Sequence, residues 1–129
     1  MLLLDTHTFI WLASDRSRIP EKVLGLIKNE SDGLFISSIT TTEIGLLSNA
    51  ERINTFGSCA DFLFKNLHRL GIHEVPVDVE IGLASTQLPP IHRDPFDRII
   101  IATAQAHGMT ILTKDRTIPT YPKVKAVWE

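Results

Sequence analysis

The stretch Leu2-Leu3-Leu4-Asp5-Thr6-His7 decides the fold of this chain. Its three leucines form a continuous apolar run, which is typical of a strand buried on both faces of a parallel sheet. Asp5 stands at the carboxyl end of that strand, and the first predicted helix follows it directly. Because ligands of open α/β sheets bind at the carboxyl ends of the strands, Asp5 lies at a candidate site.

Strands and helices alternate along the rest of the chain. Apolar runs predict the first strand at 1–4 and further strands at 34–37, 73–77, 110–113 and 124–128. Helices are predicted at 6–13, 20–28, 40–50, 58–70, 79–86 and 96–107. This alternation predicts a three-layer α/β fold, with a mostly parallel central sheet and helices on both faces. No linker is indicated, so residues 1–129 are expected to form one domain.

Composition narrows the class of protein. A chain of 129 residues with 43% hydrophobic residues can bury a real core, and its net charge of −2 gives no global indication of nucleic acid. The single cysteine, Cys59, excludes a disulfide framework and a cysteine-based zinc site. The amino terminus lacks a positive segment, and its apolar run is interrupted by Asp5. We therefore expect neither a signal peptide nor a membrane span, and we expect the protein to be cytoplasmic.

Four acids are placed where an α/β domain can project them into one crevice. Asp5 and Asp115 each end an apolar run, and Glu43 and Asp97 each fall in the predicted first turn of a helix. At about 4 Å and an effective dielectric constant near 20, each pair of like charges costs roughly 4 kcal/mol. A cation is needed to offset that cost, and hard oxygen ligands favour Mg²⁺ or Mn²⁺. The chemistry that such an ion supports is cleavage of phosphate esters.

Individual acids also have structural interpretations. The run Thr40-x-x-Glu43 matches a capping box, in which the glutamate accepts from the amide of the cap residue. Asp94 directly precedes Pro95 and is expected to be the N-cap of the last helix. Asp97 lies further along in a helix that is otherwise apolar, where a charge requires a partner or a metal. We therefore assign Asp94 to structure and Asp97 to the site.

Basic residues flank the acids of the second half and form a possible phosphate-binding set. These residues are Arg93, Arg98, Lys114 and Arg116. His7 and His92 also lie close to the acids in sequence and could contact a phosphate. No spacing typical of a histidine or cysteine zinc site, no G-x-S-x-G motif and no phosphate-binding glycine loop is present.

Several motifs together resemble the PIN-domain ribonucleases, and in particular the VapC-type toxins of bacterial and archaeal toxin–antitoxin pairs. They are Leu-Leu-Leu-Asp5-Thr6-His7, Glu43 after a strand end rich in Ser and Thr, Arg93-Asp94-Pro95-Phe96-Asp97-Arg98, and Leu112-Thr113-Lys114-Asp115. The resemblance implies an endoribonuclease that depends on Mg²⁺ or Mn²⁺. It places the metal-binding and catalytic roles on Asp5, Glu43, Asp97 and Asp115, with Thr6 and Thr113 orienting ligands or water.

The same resemblance implies an RNA substrate, a small antitoxin partner and a homodimer, as in type II toxin–antitoxin systems. Three apolar residues of one helix, Phe62, Phe64 and Leu67, offer a face that could pack against a second copy. The alternative is that two of the three pack into the core.

Three other classes of protein compete with the nuclease. A dehalogenase-type phosphatase requires a second Asp two residues after the first, and His7 occupies that position. A receiver domain requires adjacent acids after the first strand and a lysine near the last strand, of which only Lys114 is present. A degenerate nuclease fold that only binds protein is disfavoured because all four acids are present. Metal-dependent cleavage of RNA separates the nuclease from all three.

Overall fold

Five parallel strands form one central sheet in the computed structural model, which describes residues 1–129. The strands are β1 (Leu2–Leu4), β2 (Leu34–Ser37), β3 (Ile72–Val75), β4 (Thr110–Leu112) and β5 (Lys125–Val127). The helices are α1 (Thr6–Ser14), α2 (Glu21–Asn29), α3 (Ser38–Asn49), α4 (Cys59–Leu70), α5 (Val79–Thr86) and α6 (Pro95–His107), with short 3₁₀ turns at Arg16–Arg18 and Ile118–Thr120. The strand order β3-β2-β1-β4-β5 puts β1 at the centre and β5 at an edge.

Alternate side chains of β1 divide the core into two layers. Leu2 and Leu4 face one apolar cluster, to which α1, α2, α3 and α4 contribute. Leu3 faces a second cluster, which contains Ile100 and Ile101 of α6. Since successive side chains of a strand point to opposite faces, helices cover both faces of the sheet. The α/β fold expected from the first strand is confirmed.

Local capping residues set most of the helix ends. Asp94 accepts a hydrogen bond from the amide of Phe96 at 2.9 Å, with Pro95 in the first turn, as expected for an N-cap. Gly71 and Gly108 end α4 and α6 with φ values of 64° and 66°, in the left-handed region that glycine tolerates best. None of the helices combines the length and the apolar character needed to span a bilayer.

The capping box predicted for Thr40 and Glu43 is wrong. Helix α3 begins two residues earlier than predicted, and Ser37 is its N-cap, accepting from the amide of Ile39 at 3.2 Å. Glu43 therefore lies beyond the first turn of α3, and its side chain is free of a capping role.

The face of α4 proposed for self-association is largely internal. Phe62 is buried in the core, Leu67 is partly buried against the same cluster, and only Phe64 is exposed. The alternative in which two of the three residues pack inward is therefore the observed one. Phe62 and Phe64 are separated by about 200° around the helix and point to opposite sides, and Leu67 lies between these two faces.

Arg98 holds together the loop that precedes α6. Its guanidinium donates hydrogen bonds of 2.9 Å to the carbonyl oxygens of Pro89, Ser85 and Leu88. A longer contact of 3.4 Å reaches the hydroxyl of Tyr121. These bonds satisfy carbonyls at the end of α5 and in the loop, so the guanidinium is engaged with the protein's own backbone. The arrangement gives Arg98 a structural role, and its predicted role in phosphate binding stays a prediction.

We expect Arg98→Ala to lower the free energy of unfolding by about 2–4 kcal/mol, because several partly buried carbonyl groups would lose a charged donor. Arg93→Ala is the matched control, since Arg93 is exposed and makes no side-chain hydrogen bond, and it should change stability by less than about 0.5 kcal/mol. Urea denaturation followed by circular dichroism measures both. Equal stability of the two variants would contradict the anchoring role.

Candidate active site

Asp5 is the most deeply placed acid of the site. It follows β1, is 9% exposed, and accepts the amide of Thr6 at 2.7 Å through Oδ1. The hydroxyl of Thr113 donates to its Oδ2 at 2.6 Å. Burial raises the pKa of Asp5 above its usual value, although both hydrogen bonds act in the opposite direction. The carboxyl group is thus oriented by neighbours from two adjacent strands.

Glu43 is oriented by a relay of threonine hydroxyls. Thr6 donates to Glu43 Oε1 at 2.6 Å, and the hydroxyls of Thr6 and Thr40 lie 3.0 Å apart. Because the proton of Thr6 is directed at Glu43, Thr40 must be the donor in the second bond. Burial is the main cause that raises the pKa of Glu43, and the charge of Asp5 adds to it. Thr6, which directly follows Asp5, therefore links the segment after β1 to α3.

Asp97 lies in the first turn of α6, as predicted. Burial and then the negative charges of the neighbouring acids, Asp5 first among them, raise its pKa to about 8. Without a cation, the carboxyl of Asp97 is accordingly protonated at neutral pH. Burial and the neighbouring acids together disfavour a further negative charge at Asp97.

Asp115 behaves in the opposite way. Burial acts to raise its pKa, but hydrogen bonds from His92 and from the amide of Thr117, at 2.9 and 2.7 Å, outweigh burial and leave the pKa of Asp115 below its usual value. The amide of Asp115 donates to the hydroxyl of Thr113 at 3.0 Å. Thr113 thus joins Asp5 to Asp115, and its predicted role in orienting ligands or water stays a prediction.

His92 bridges two of the acids. Its Nε2 lies 3.0 Å from Oδ2 of Asp97 and 2.9 Å from Oδ2 of Asp115. Its Nδ1 accepts the amide of Asp94 at 3.2 Å, so Nδ1 carries no proton and Nε2 carries the ring proton. The backbone amide of His92 donates to the hydroxyl of Tyr121 at 2.6 Å, which fixes the loop. His92 therefore donates a hydrogen bond to Asp115 and lies beside the carboxyl group of Asp97.

All four predicted acids line one open pocket of about 370 Å³. The lining residues are Asp5, His7, Trp11, Glu43, Asp94, Asp97, Lys114 and Asp115. His92 does not line this pocket, but its potential ligand atom and those of Asp97 and Asp115 all lie within 4.8 Å of one another. Carboxylate oxygens in such number, with unbalanced charge, fit a hard divalent cation.

The predicted basic residues are distributed unequally. Lys114 lines the pocket, and its Nζ lies 5.9 Å from the ring centroid of Trp11, within the range of a cation–π contact. Arg93 and Arg116 are exposed and do not line the pocket. Of the four basic residues, only Lys114 stands where a phosphate beside the acids could meet it.

Sequence reasoning missed two residues of the pocket wall. Asp94 caps α6 as expected, yet its carboxyl group also borders the pocket and contributes to the raised pKa of Asp97. Trp11 falls within the helix predicted at 6–13. Its spacing of four residues from His7 was the available signal, because such residues share a helix face, and the two rings lie 5.8 Å apart.

Comparison with known proteins agrees with this geometry. The family model of the PIN domain matches residues 2–124. Ribonuclease VapC22 of Mycobacterium tuberculosis is 31% identical to this chain over 132 aligned residues, which cover 98% of each protein.

Solved structures share the fold at lower identity. VapBC2 of Rickettsia felis, bound to a promoter DNA fragment, aligns over 99% of this chain and 98% of that chain, with a TM-score of 0.70 and 17% identity. VapBC of Salmonella typhimurium, also bound to DNA, gives a TM-score of 0.70 and 20% identity over 98% of this chain and 96% of that chain. FitAcB of Neisseria gonorrhoeae gives 0.68 and 23% identity over the same shares.

The role of His92 can be tested by metal binding. We expect His92→Ala to weaken binding of Mn²⁺ to the metal-free protein by about 10- to 100-fold, because Asp115 loses its hydrogen-bond donor and Asp97 loses the imidazole beside it. His92→Gln should stay within about threefold of the parent, since its amide can donate from nearly the same position. Isothermal titration calorimetry measures the affinities. A glutamine variant as weak as the alanine variant would instead make His92 a direct ligand.

The pKa of Asp97 predicts how stability depends on pH. Between its ordinary pKa of 3.8 and its folded value of about 8, the folded protein holds a proton that the unfolded chain has lost. This contribution to the free energy of unfolding is complete below about pH 4 and is lost as the pH rises through about 8. Urea denaturation of the metal-free protein should show that loss for the parent and for the control Asp61→Asn. Asp97→Asn should show a flatter profile, and an unchanged slope would be inconsistent with a buried, protonated Asp97.

Proposed function

Because the chain belongs to the PIN-domain family, we propose that it is a metal-dependent endoribonuclease that hydrolyses RNA phosphodiester bonds. We further propose that it is the toxin of a type II toxin–antitoxin pair. The observation that carries the nuclease proposal is the pocket that Asp5, Glu43, Asp97 and Asp115 line together, in which burial and then the charges of the neighbouring acids raise the pKa of Asp97 to about 8. An uncompensated set of oxygen donors of this kind supports the binding of Mg²⁺ or Mn²⁺.

The environments of the acids suit them to different catalytic roles. A divalent cation in this pocket supplies Lewis-acid polarisation of a phosphoryl oxygen and a water of lowered pKa. In this proposal Asp5 and Asp97 are the central ligands. Both line the pocket, and the charge of Asp5 contributes to the raised pKa of Asp97. Asp115, whose pKa lies below its usual value, stays ionised and suits a further ligand position.

Glu43 is the better candidate for a general base. Its raised pKa brings it closer to neutrality, where a base accepts a proton most effectively. The hydroxyl of Thr6 occupies only Oε1, so Oε2 makes no protein hydrogen bond and is available to a nucleophilic water. The pKa of Glu43 is raised and the pKa of Asp115 is lowered. Glu43 is therefore suited to proton transfer, while Asp115 stays negatively charged in the same pocket.

Lys114 is the residue we propose for contact with a substrate phosphate. It borders the acidic pocket and lies against Trp11, which restrains its long side chain. Arg93 and Arg116 are exposed at the rim, where they can attract RNA and contact phosphates further from the scissile bond. Single-stranded RNA suits an acidic pocket that must reach the backbone of one strand.

The proposed partners follow from the relatives. One solved structure with this fold, from Klebsiella pneumoniae, is a toxin–antitoxin complex by name, and on that basis we propose a small antitoxin protein as the partner of this chain. Family resemblance is also the support for a homodimer, since the α4 face first suggested for it is mostly buried. These proposals concern assembly and do not affect the chemistry of the pocket.

A cleavage assay with paired variants tests the nuclease proposal. The purified chain should cut single-stranded RNA in the presence of Mg²⁺ or Mn²⁺, and EDTA should stop the reaction. Asp97→Asn should lower kcat by at least about 100-fold, because it removes a central ligand. Asp94→Asn keeps a good N-cap and should stay within about fivefold of the parent.

Asp97→Asn also controls for contaminating ribonuclease when it is purified in the same way. Equal cleavage by this variant and the parent would mean that the activity is not that of the chain. An equal loss for Asp94→Asn and Asp97→Asn would make Asp94 a ligand as well as a cap.

A further inference from the structure

A second groove lies beside the acidic pocket, between α1 and the loop that precedes α4. We propose that this groove binds the nucleotides of single-stranded RNA that lie next to the cleaved phosphodiester, with bases stacked on aromatic side chains and phosphates paired with arginines. The inference rests on the proposed function and specifies how the substrate is held. Its principal residues are His7, Trp11, Arg18, Arg52, Ile53 and Phe56.

The groove is continuous with the acidic pocket. His7 and Trp11 line both cavities. They lie one turn apart on the same face of α1, and their rings are 5.8 Å apart. A polynucleotide whose phosphate sits among the acids therefore has a direct path across these two rings into the groove.

The charges of the groove are opposite in sign to those of the pocket. Arg18 stacks its guanidinium 5.1 Å from the centroid of Trp11 and makes no side-chain hydrogen bond. Arg52 is exposed, and its guanidinium has no ion pair. Asp15 is the single acid among the lining residues, and it accepts a hydrogen bond from Ser17. In a chain of net charge −2, this local excess of free guanidinium favours a polyanion.

The packing of the fold does not explain why the aromatic ring of Phe56 is exposed to solvent. Its side chain is 74% exposed, and its backbone is in the left-handed region at φ 54°, which a bulky residue rarely adopts. The conformation is held by a hydrogen bond of 2.8 Å from its amide to Oδ1 of Asn54 and by one of 2.7 Å from Thr55 to Gly57. A strained backbone that presents an aromatic ring to solvent is typical of a binding site.

Single-stranded RNA explains these features together. Every base has a face that stacks on an aromatic ring or a guanidinium plane, while every phosphate can pair with arginine. An acidic peptide could satisfy Arg18 and Arg52, but it would not account for the continuity with a pocket suited to phosphodiester cleavage. RNA is therefore the occupant that the residues favour.

Fluorescence anisotropy with a labelled RNA of about twelve nucleotides tests the groove. The protein carries Asp97→Asn, so that RNA is bound in Mg²⁺ without being cut. Adding Phe56→Ala should weaken binding by about tenfold, and Phe56→Trp should restore most of the affinity. Arg52→Ala should weaken binding and reduce its dependence on salt. A labelled dinucleotide is too short to extend from the acidic pocket into the groove. Its affinity should therefore not change in the Phe56→Ala variant.

The matched control is Phe64→Ala, because Phe64 is equally exposed at 76% but does not line the groove. It should change the affinity by less than about twofold. Melting temperatures of all variants show whether they are folded, and Phe56→Trp separates loss of stacking from loss of structure.

The outcomes distinguish a failure of the groove inference from a failure of the proposed nuclease activity. If the parent cleaves RNA but Phe56→Ala binds it as tightly as Phe64→Ala does, the groove inference is wrong while the nuclease proposal stands. If the Asp97→Asn protein binds no RNA and the parent cuts none, the proposed function fails. Unchanged affinity for RNA together with weakened binding of an acidic peptide would assign the groove to a protein partner and overturn the inference.

Discussion

The repulsion among buried carboxylates is the constraint on which the rest of this site depends. Asp5 is almost completely removed from water, and the acids that share its pocket raise one another's pKa values instead of lowering them. At effective dielectric constants near 20, each close pair costs several kcal/mol, about the size of a domain's whole net stability. The chain can tolerate this arrangement only by keeping a proton on Asp97 or by accepting a cation.

The parallel sheet is what brings the acids together. Neighbouring strands β2, β1 and β4 end at the same edge, and each is followed by a segment that carries part of the site. The connection from β1 leads to β2 on one side, while β4 pairs with β1 on the other. The pocket therefore opens at a point where the chain leaves the sheet in opposite directions, which is where doubly wound sheets bind their ligands.

Hydrogen-bond donors around the pocket give each acid a different character. Threonines at the start of α1, in α3 and directly after β4 orient Asp5 and Glu43, while His92 donates to Asp115 and lies beside Asp97. His92 is in turn held by Tyr121, whose hydroxyl also lies near Arg98. These contacts fix the proline-containing loop that precedes α6. The side chains that this loop contributes beside the polar pocket are therefore held in place. Such supporting groups govern metal affinity almost as strongly as the ligands do.

The sequence by itself determined the layout of strands, the ends of most helices and the identity of the four acids. Capping at Asp94 or Gly108 and the burial of β1 depend on neighbours within a few residues, so a local pattern predicts them. Tertiary structure alone decided that Arg98 turns inward to carbonyl groups, that Glu43 is held by Thr6 and not by a cap, and that His92 bridges two carboxylates. These contacts join groups up to 37 residues apart, and the reach of a long side chain is settled by packing, which no local pattern contains.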